Sequence, residues 1–319
     1  MIFSRRVFAF FLFAALLPTA AWSQAAADYK SALVIDAATG RTLFEDNADF
    51  VNPPASITKL MTFLIVHDRI QSGALRLQSP VPVSAASSKI GGTQVWLKQG
   101  ETFPIEEMLY ALLVQSANDC AHALAVAVAG SPAAFVDLMN ARARELGLTQ
   151  TTFRSPHGLP PSNRVVAEGD LTTARDLAKL SRHLLQHTDI LKYTSVKERL
   201  FRAGAASGEI AMRNHNHLLN RVDGVDGLKT GYTRGAGFCL AATAERHGRR
   251  VIAVVMGSPS SKGRDLKVAE LIERGFASLP PPESPLTVAP LDQAAPVIAP
   301  APETEDTSPP VIKFSIPSR

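Results

Sequence analysis

Pro54-Ala-Ser56-Ile-Thr-Lys59-Leu-Met-Thr62 decides how the rest of the chain is read. Pro53 and Pro54 end an extended stretch, and a periodic pattern begins at Ser56. Ile57, Leu60, Met61, Leu64 and Ile65 recur at helical spacing and form an apolar stripe. Ser56 and Lys59 lie three residues apart, so their side chains share one side of that helix at the edge of the stripe. The serine thus stands at a helix N-terminus, where free N–H groups and the positive end of the dipole favour negative charge. A serine hydroxyl is a weak nucleophile and needs a neutral amine beside it to remove its proton. A lysine serves only if its charged form is disfavoured, and a second cation nearby would do that.

Working outward, Ser31 to Ile35 and Arg41 to Glu45 are strand-like runs joined by Asp36-Ala-Ala-Thr-Gly40, the pattern of a hairpin. Downstream, Ile105, Met108, Leu109, Leu112 and Leu113 mark a second helix, and Ala121 to Ala129 a third. Ser116-Ala-Asn118 occupies the turn between them. Ser131-Pro132 opens a further helix, serine as N-cap and proline at the first position, and Gly147 closes it. From Lys229 the pattern turns strand-like. Phe238 to Thr243 and Arg250 to Met256 are β-rich, joined by Arg246-His-Gly248, and Arg264 to Phe276 reads as a closing helix. The order predicts one α/β sheet domain over residues 28–278, interrupted by an all-helical subdomain at about residues 73–215.

Three short motifs fall at the seams of that plan: Ser56-Ile-Thr-Lys59, Ser116-Ala-Asn118 and Lys229-Thr-Gly231. Each has a plain structural reading, as a helix N-cap, a second cap and a turn after Asp226-Gly227. Their coincidence in this order supplies a nucleophile, a base one helical turn away, a relay hydroxyl and a strand that can grip a peptide, which are the parts of an acyl-transfer enzyme. His215-Asn-His217 has an alternating spacing that could suit a metal, but no carboxylate or cysteine sits near it in the sequence, so a structural or substrate-groove role is expected.

The N-terminus carries Arg5 and Arg6, an apolar run from Val7 to Leu17, Pro18, and small residues at Ser23 and Ala25. That is the layout of a cleavable signal peptide over residues 1–25, and the run is too short to span a bilayer. Losing Arg5 and Arg6 takes the formal charge from +4 to +2, too small a surplus to argue for nucleic acid. Two cysteines, Cys120 and Cys239, exclude a disulfide framework and are expected as buried packing residues. Half of the 22 prolines lie between Pro280 and Arg319, so residues 279–319 read as an extended, disordered tail.

Beyond the triplets, Gln115-Ser-Ala-Asn-Asp119, Phe135-Val-Asp-Leu-Met-Asn140, Ser155-Pro-His-Gly-Leu159, Val225-Asp-Gly-Leu-Lys-Thr-Gly-Tyr-Thr233 and Lys262-Gly-Arg264 complete a pattern. Over about residues 28–276 the chain resembles the low-molecular-mass penicillin-binding proteins, the serine-type D-alanyl-D-alanine carboxypeptidases. The resemblance implies the penicillin-binding protein/β-lactamase-like transpeptidase fold, an antiparallel sheet flanked by helices with the inserted helical subdomain. It implies Ser56 as nucleophile, Lys59 as base, Ser116 as proton relay to the leaving D-alanine, and Asn118 holding Lys59 and the substrate amide. Lys229 would sit opposite, Thr230 would bind the substrate's terminal carboxylate, and Gly231 would leave room for the peptide along the strand. The N–H groups of Ser56 and Tyr232 would form the oxyanion hole, and Arg264 would add positive charge near the carboxylate.

Implied partners are the peptidoglycan stem pentapeptide and, as covalent inhibitors, β-lactam antibiotics. No cofactor, metal or nucleic acid is expected. The family's larger members carry a second, β-rich domain and an amphipathic anchor helix. Here Val311 to Ile316 is too short for such a helix and Pro317 follows, so no stable membrane anchor is expected, and a soluble periplasmic monomer is. Some relatives without the second domain are DD-endopeptidases that cut cross-links, which is the alternative activity. A β-lactamase is disfavoured, because no Glu-x-x-Leu-Asn lies between Ser116 and Lys229. A non-catalytic wall-binding protein is disfavoured because all the catalytic residue types are present.

Overall fold

The computed structural model describes residues 28–204 and 208–280. The expected leader lies outside them, as does the proline-rich tail beyond Pro280. In chain order, β1 (Ser31–Asp36) and β2 (Thr42–Asp46) are followed by α1 (Lys59–Gln71). Then come β3 (Pro80–Pro82), β4 (Thr102–Pro104), α2 (Ile105–Tyr110), α3 (Asn118–Ala129) and α4 (Pro132–Glu145). Next are α5 (Ala174–His187), α6 (Leu191–Thr194), β5 (Glu198–Phe201) and β6 (Ile210–Arg213). The described chain closes with β7 (Val225–Thr233), β8 (Gly237–Arg246), β9 (Arg249–Ser258) and α7 (Ser261–Ala277).

The hairpin forms because Asp36 tightens its own turn. Its carboxylate accepts the Ala38 amide at 3.0 Å and the Thr39 hydroxyl at 2.6 Å, while Gly40 takes the positive φ of +78° that closes it. The five-stranded sheet runs β2-β1-β9-β8-β7, with every neighbour antiparallel. β1 is buried on both faces, which explains its unbroken apolar run. Leu33 and Ile35 enter the larger core with α1 and α5, while Ala32 and Val34 join Val268, Leu271 and Ile272 of α7 on the other face. Gly275 lets α7 lie close on that face, since a Cβ there would stand 2.9 Å from Val34 Cγ1. α7 begins three residues before the expected Arg264 because the Ser260 hydroxyl accepts the Gly263 amide at 3.0 Å.

The insertion departs from the expected all-helical subdomain. It is mainly helical, but β3 pairs with β4 and β5 with β6 in two short antiparallel ribbons. Prolines 80, 82 and 104 disguise the first ribbon, because a residue lacking an N–H reads as a strand breaker while an isolated ribbon tolerates it. α5, inside the expected bounds of the insertion, packs on β1 and β9 and belongs to the sheet layer. Cys120 and Cys239 are both free and buried, as their packing role predicts. No single described helix is long and apolar enough to cross a membrane. β7 is the open edge of the sheet, and the turn that leads into α1 packs against it.

Candidate active site

Ser56 sits in a 3-10 turn, Ala55–Thr58, rather than in the first turn of the α-helix, and Lys59 is the first residue of α1. That departure serves the site. In 3-10 geometry residues i and i+3 eclipse, so the Lys59 amine is carried over the Ser56 hydroxyl, with Nζ 2.9 Å from Oγ. Ala55, buried just before the serine, holds a left-handed φ of +49°. Such a conformation persists only where the surroundings over-determine it.

Two further atoms fix the amine. Asn118 Oδ1 and the His157 carbonyl each lie 2.7 Å from Lys59 Nζ. Asn118 is oriented in turn, since its Nδ2 donates to Gly91 O at 2.9 Å and its own amide to Thr93 O at 2.8 Å. A neutral amine has two N–H donors and one lone pair. Both carbonyl-type partners can only accept, so the lone pair is left facing the serine hydroxyl. The electrostatics agree with that count. Burial, and after it the nearby Lys229 ammonium, hold the Lys59 pKa well below the ordinary lysine value, against the weaker opposing pull of Asp170 and Asp119.

Ser116 ends a π-helical turn at 111–115 in a left-handed conformation, φ +65° and ψ +35°, and α3 starts two residues later. Its Oγ is buried with no hydrogen-bond partner among the described residues. Orphaned hydroxyls are uncommon, and this one is a vacant donor and acceptor two residues before Asn118.

The third wall is β7. Lys229 is buried and donates to Thr230 O at 3.0 Å. Its pKa is lowered to about 7, first by burial and then by Arg264. Thr230 is also buried, whereas Tyr232 is exposed and stacks on Phe238 with ring centroids 4.1 Å apart. Gly231 lies against the serine turn. A Cβ on it would stand 2.5 Å from Pro54 O and 3.0 Å from Ser56 N. The missing side chain therefore makes room for the serine turn.

Arg264 is buried and paired. Its guanidinium donates to Asp265 Oδ1, at 2.9 Å from Nε and 2.6 Å from one terminal nitrogen, while its charge still lowers the Lys229 pKa. Asp265 Oδ2 lies 3.3 Å from His217 Nδ1. His215 is half-buried and its pKa falls to about 4, mainly through burial and next through Lys229, so it faces the lysine cluster as a neutral ring. Among the described residues, no group of three or more histidine, cysteine or acidic side chains could hold a metal ion.

Sequence reasoning quoted Ser155-Pro-His-Gly-Leu159 but gave the loop no role in the site, and so missed the His157 carbonyl. Asp170, buried, accepts from Thr58 Oγ1 (3.0 Å), the Arg154 and Ser155 amides, and Ser155 Oγ (2.9 Å). Thr62 Oγ1 donates to Pro156 O at 2.6 Å, so the 154–158 segment is pinned to both the serine turn and α1. Nothing local could reveal this. Asp170 is far in sequence from Thr58, and a backbone carbonyl leaves no residue signature. Asp170→Ala is expected to lower stability by about 2–4 kcal/mol, since it leaves two part-buried amides and two hydroxyls without their acceptor. Urea unfolding measures this, and a midpoint within error of wild type would show that the loop is held by other means.

The chain has counterparts among known proteins. A family model described as D-alanyl-D-alanine carboxypeptidase matches residues 19–260. The D-alanyl-D-alanine carboxypeptidase DacF of Bacillus subtilis is 35% identical over 255 residues, 80% of this chain and 64% of that protein. A D-alanyl-D-alanine endopeptidase of Pseudomonas aeruginosa is 34% identical over 212 residues, 66% of this chain and 65% of that one. The crystal structure of penicillin-binding protein D2 from Listeria monocytogenes, ampicillin-bound, is 32% identical with a TM-score of 0.69, covering 78% of this chain and 97% of that chain. The chain spans just under two thirds of the curated relatives it matches.

Proposed function

We propose, from the premise that the chain belongs to the D-alanyl-D-alanine carboxypeptidase family, that it is a serine-type peptidase removing the terminal D-alanine from peptidoglycan stem pentapeptides. The observation that carries this reading is the Lys59 amine, whose two acceptor partners leave its lone pair to Ser56 Oγ. Lys59 takes the Ser56 proton as Oγ attacks the carbonyl carbon of the penultimate D-alanine. The N–H groups of Ser56 and Tyr232 receive the developing oxyanion, a role supported by the contact of β7 with the serine turn at Gly231. The proton passes by way of Ser116 to the leaving D-alanine nitrogen, and water then hydrolyses the ester on Ser56. Asn118 keeps the base aligned.

β7, an open sheet edge, pairs with the substrate as an added antiparallel strand, with the terminal carboxylate at Thr230. Lys229 and Arg264 supply the field behind it, Arg264 from its pair with Asp265. β-Lactams trap the same serine as covalent inhibitors. All these groups come from one chain, which supports action as a monomer, and the Arg5–Leu17 leader supports export to the compartment that holds peptidoglycan.

Purified enzyme with a stem pentapeptide and a cross-linked muropeptide tests the activity. Free D-alanine from the pentapeptide is the expected product. Loss of cross-links without D-alanine release would favour the endopeptidase reading, for which the Pseudomonas relative speaks. A further result is expected of pH. Lys59 accepts a proton only when neutral, so acylation slows as pH falls through its depressed pKa and levels above it. The rate constant for labelling by a fluorescent penicillin should rise with pH and flatten well below the ordinary lysine value of 10.5. A rise continuing through about pH 10 would remove Lys59 as the base.

A further inference from the structure

A cavity of about 450 Å³ opens beside the serine turn, within the usual size range of a ligand site. Its floor includes Ala55 and Gly158, and a Cβ on Gly158 would stand only 3.1 Å from Ser56 N, so the cavity begins one residue from the nucleophile. Leu159, Pro160, Pro161 and Val166 make an apolar wall. The turn after β7 forms the opposite wall, where a Cβ on Gly235 would lie 3.2 Å from Val166 Cγ2. Arg164 and Arg234 stand at the lining, both exposed, and neither side chain has a hydrogen bond or ion pair among the described residues. The acidic groups nearby are occupied. Asp170 is spent on Thr58 and the 154–155 backbone, and Glu168 accepts from Asn163 Nδ2 at 2.6 Å.

Strand direction says what enters. A peptide that pairs antiparallel to β7 with its terminal carboxylate at Thr230 runs backwards towards Thr233 and Arg234, advancing about 3.3 Å per residue. Three such steps bring the residue before the D-Ala-D-Ala pair level with the cavity. We propose that this cavity is the subsite for that residue's side chain, and that Arg164 and Arg234 select an aliphatic chain ending in a carboxylate. The apolar wall takes the methylenes and the two unpaired guanidiniums take the anion. The proposal rests on the peptidase reading above.

The test uses three acetylated peptides, Ac-X-D-Ala-D-Ala, with X as L-2-aminopimelate, L-2-aminoheptanoate or L-lysine, and reads kcat/KM from D-alanine release. The carboxylate peptide should exceed its methyl-ended counterpart about five- to tenfold, and the lysine peptide should be the poorest. In the Arg164→Gln/Arg234→Gln double variant the ratio of the first two should fall towards one, and in Arg164→Glu/Arg234→Glu the order should turn to favour lysine. Equal values for the three peptides in wild type, or a preference that survives both double variants, would overturn the subsite and leave the peptidase reading standing. Release of D-alanine from none of the peptides overturns the peptidase reading, and the subsite falls with it.

Discussion

Lys59→Ala is expected to lower the rate of Ser56 acylation by a fluorescent penicillin at least about 10³-fold while the protein remains folded. General-base catalysis alone contributes about 10²–10⁴-fold, and groups that act as a unit with the nucleophile cost more when lost. The fold should survive because the opposing effects are of similar size. Removing the amine leaves Asn118 Oδ1 and the His157 carbonyl without their donor, at about 1–3 kcal/mol each. Against that, a fully buried amine that had to shed its proton on folding is gone, and water can enter the polar space it leaves. Circular dichroism and a cooperative thermal transition check the fold, and labelling gels or mass spectrometry of the adduct check the chemistry. Labelling within tenfold of wild type on a folded variant would end the assignment of Lys59 as base. Lys229→Met supplies a second arm. Lys229 is the second cause of the depressed Lys59 pKa, so removing its charge should move the rising limb of the pH–rate profile to higher pH.

The side chains that carry the proposed chemistry were legible because each is a residue type at a fixed spacing, and Ser56, Lys59 and Asn118 are bonded together in the structure. The sheet was legible too. β1 and β9 are long enough and apolar enough to read as strands whichever face each residue takes. What stayed hidden depends on backbone atoms or distant partners. The 3-10 turn at Ser56 and the left-handed Ala55 are set by β7 and the 155–158 loop packing around them, not by local propensity. The ribbons β3–β4 and β5–β6 are three or four residues long, below the length at which period-2 alternation is visible. Arg264 was read by charge alone. Its partner is the adjacent Asp265, whose carboxylate happens to turn back on it, and side-chain direction is not a property of sequence spacing.

Gly158→Ala is expected to damage stability and acylation together, because two independent strains meet at that residue. The first is conformational. Gly158 has φ +84°, where an alanine costs about 1–2 kcal/mol. The second is contact. An added Cβ would lie 1.9 Å from the Ala55 carbonyl oxygen and 2.4 Å from its carbon, both backbone atoms that cannot swing aside as a flexible side chain would. Relief requires the loop and the serine turn to part by more than an ångström, yet the loop is tied down by Asp170 and Thr62. Parting them also draws the His157 carbonyl off Lys59 Nζ and releases the second N–H that fixes the amine's orientation. Gly73→Ala separates the two strains. Gly73 has φ +76° just past the end of α1 with nothing within 4 Å of an added Cβ, so it carries the conformational cost alone. Chemical denaturation should find a loss of about 1 kcal/mol for Gly73→Ala and at least about 3 kcal/mol for Gly158→Ala. Penicillin labelling should stay near wild type in the first and fall at least about 10²-fold in the second, a displacement-sized effect on a positioned base. If Gly158→Ala matches Gly73→Ala in both measurements, the loop and the serine turn do not bear on each other as the geometry requires, and the base is held by Asn118 alone.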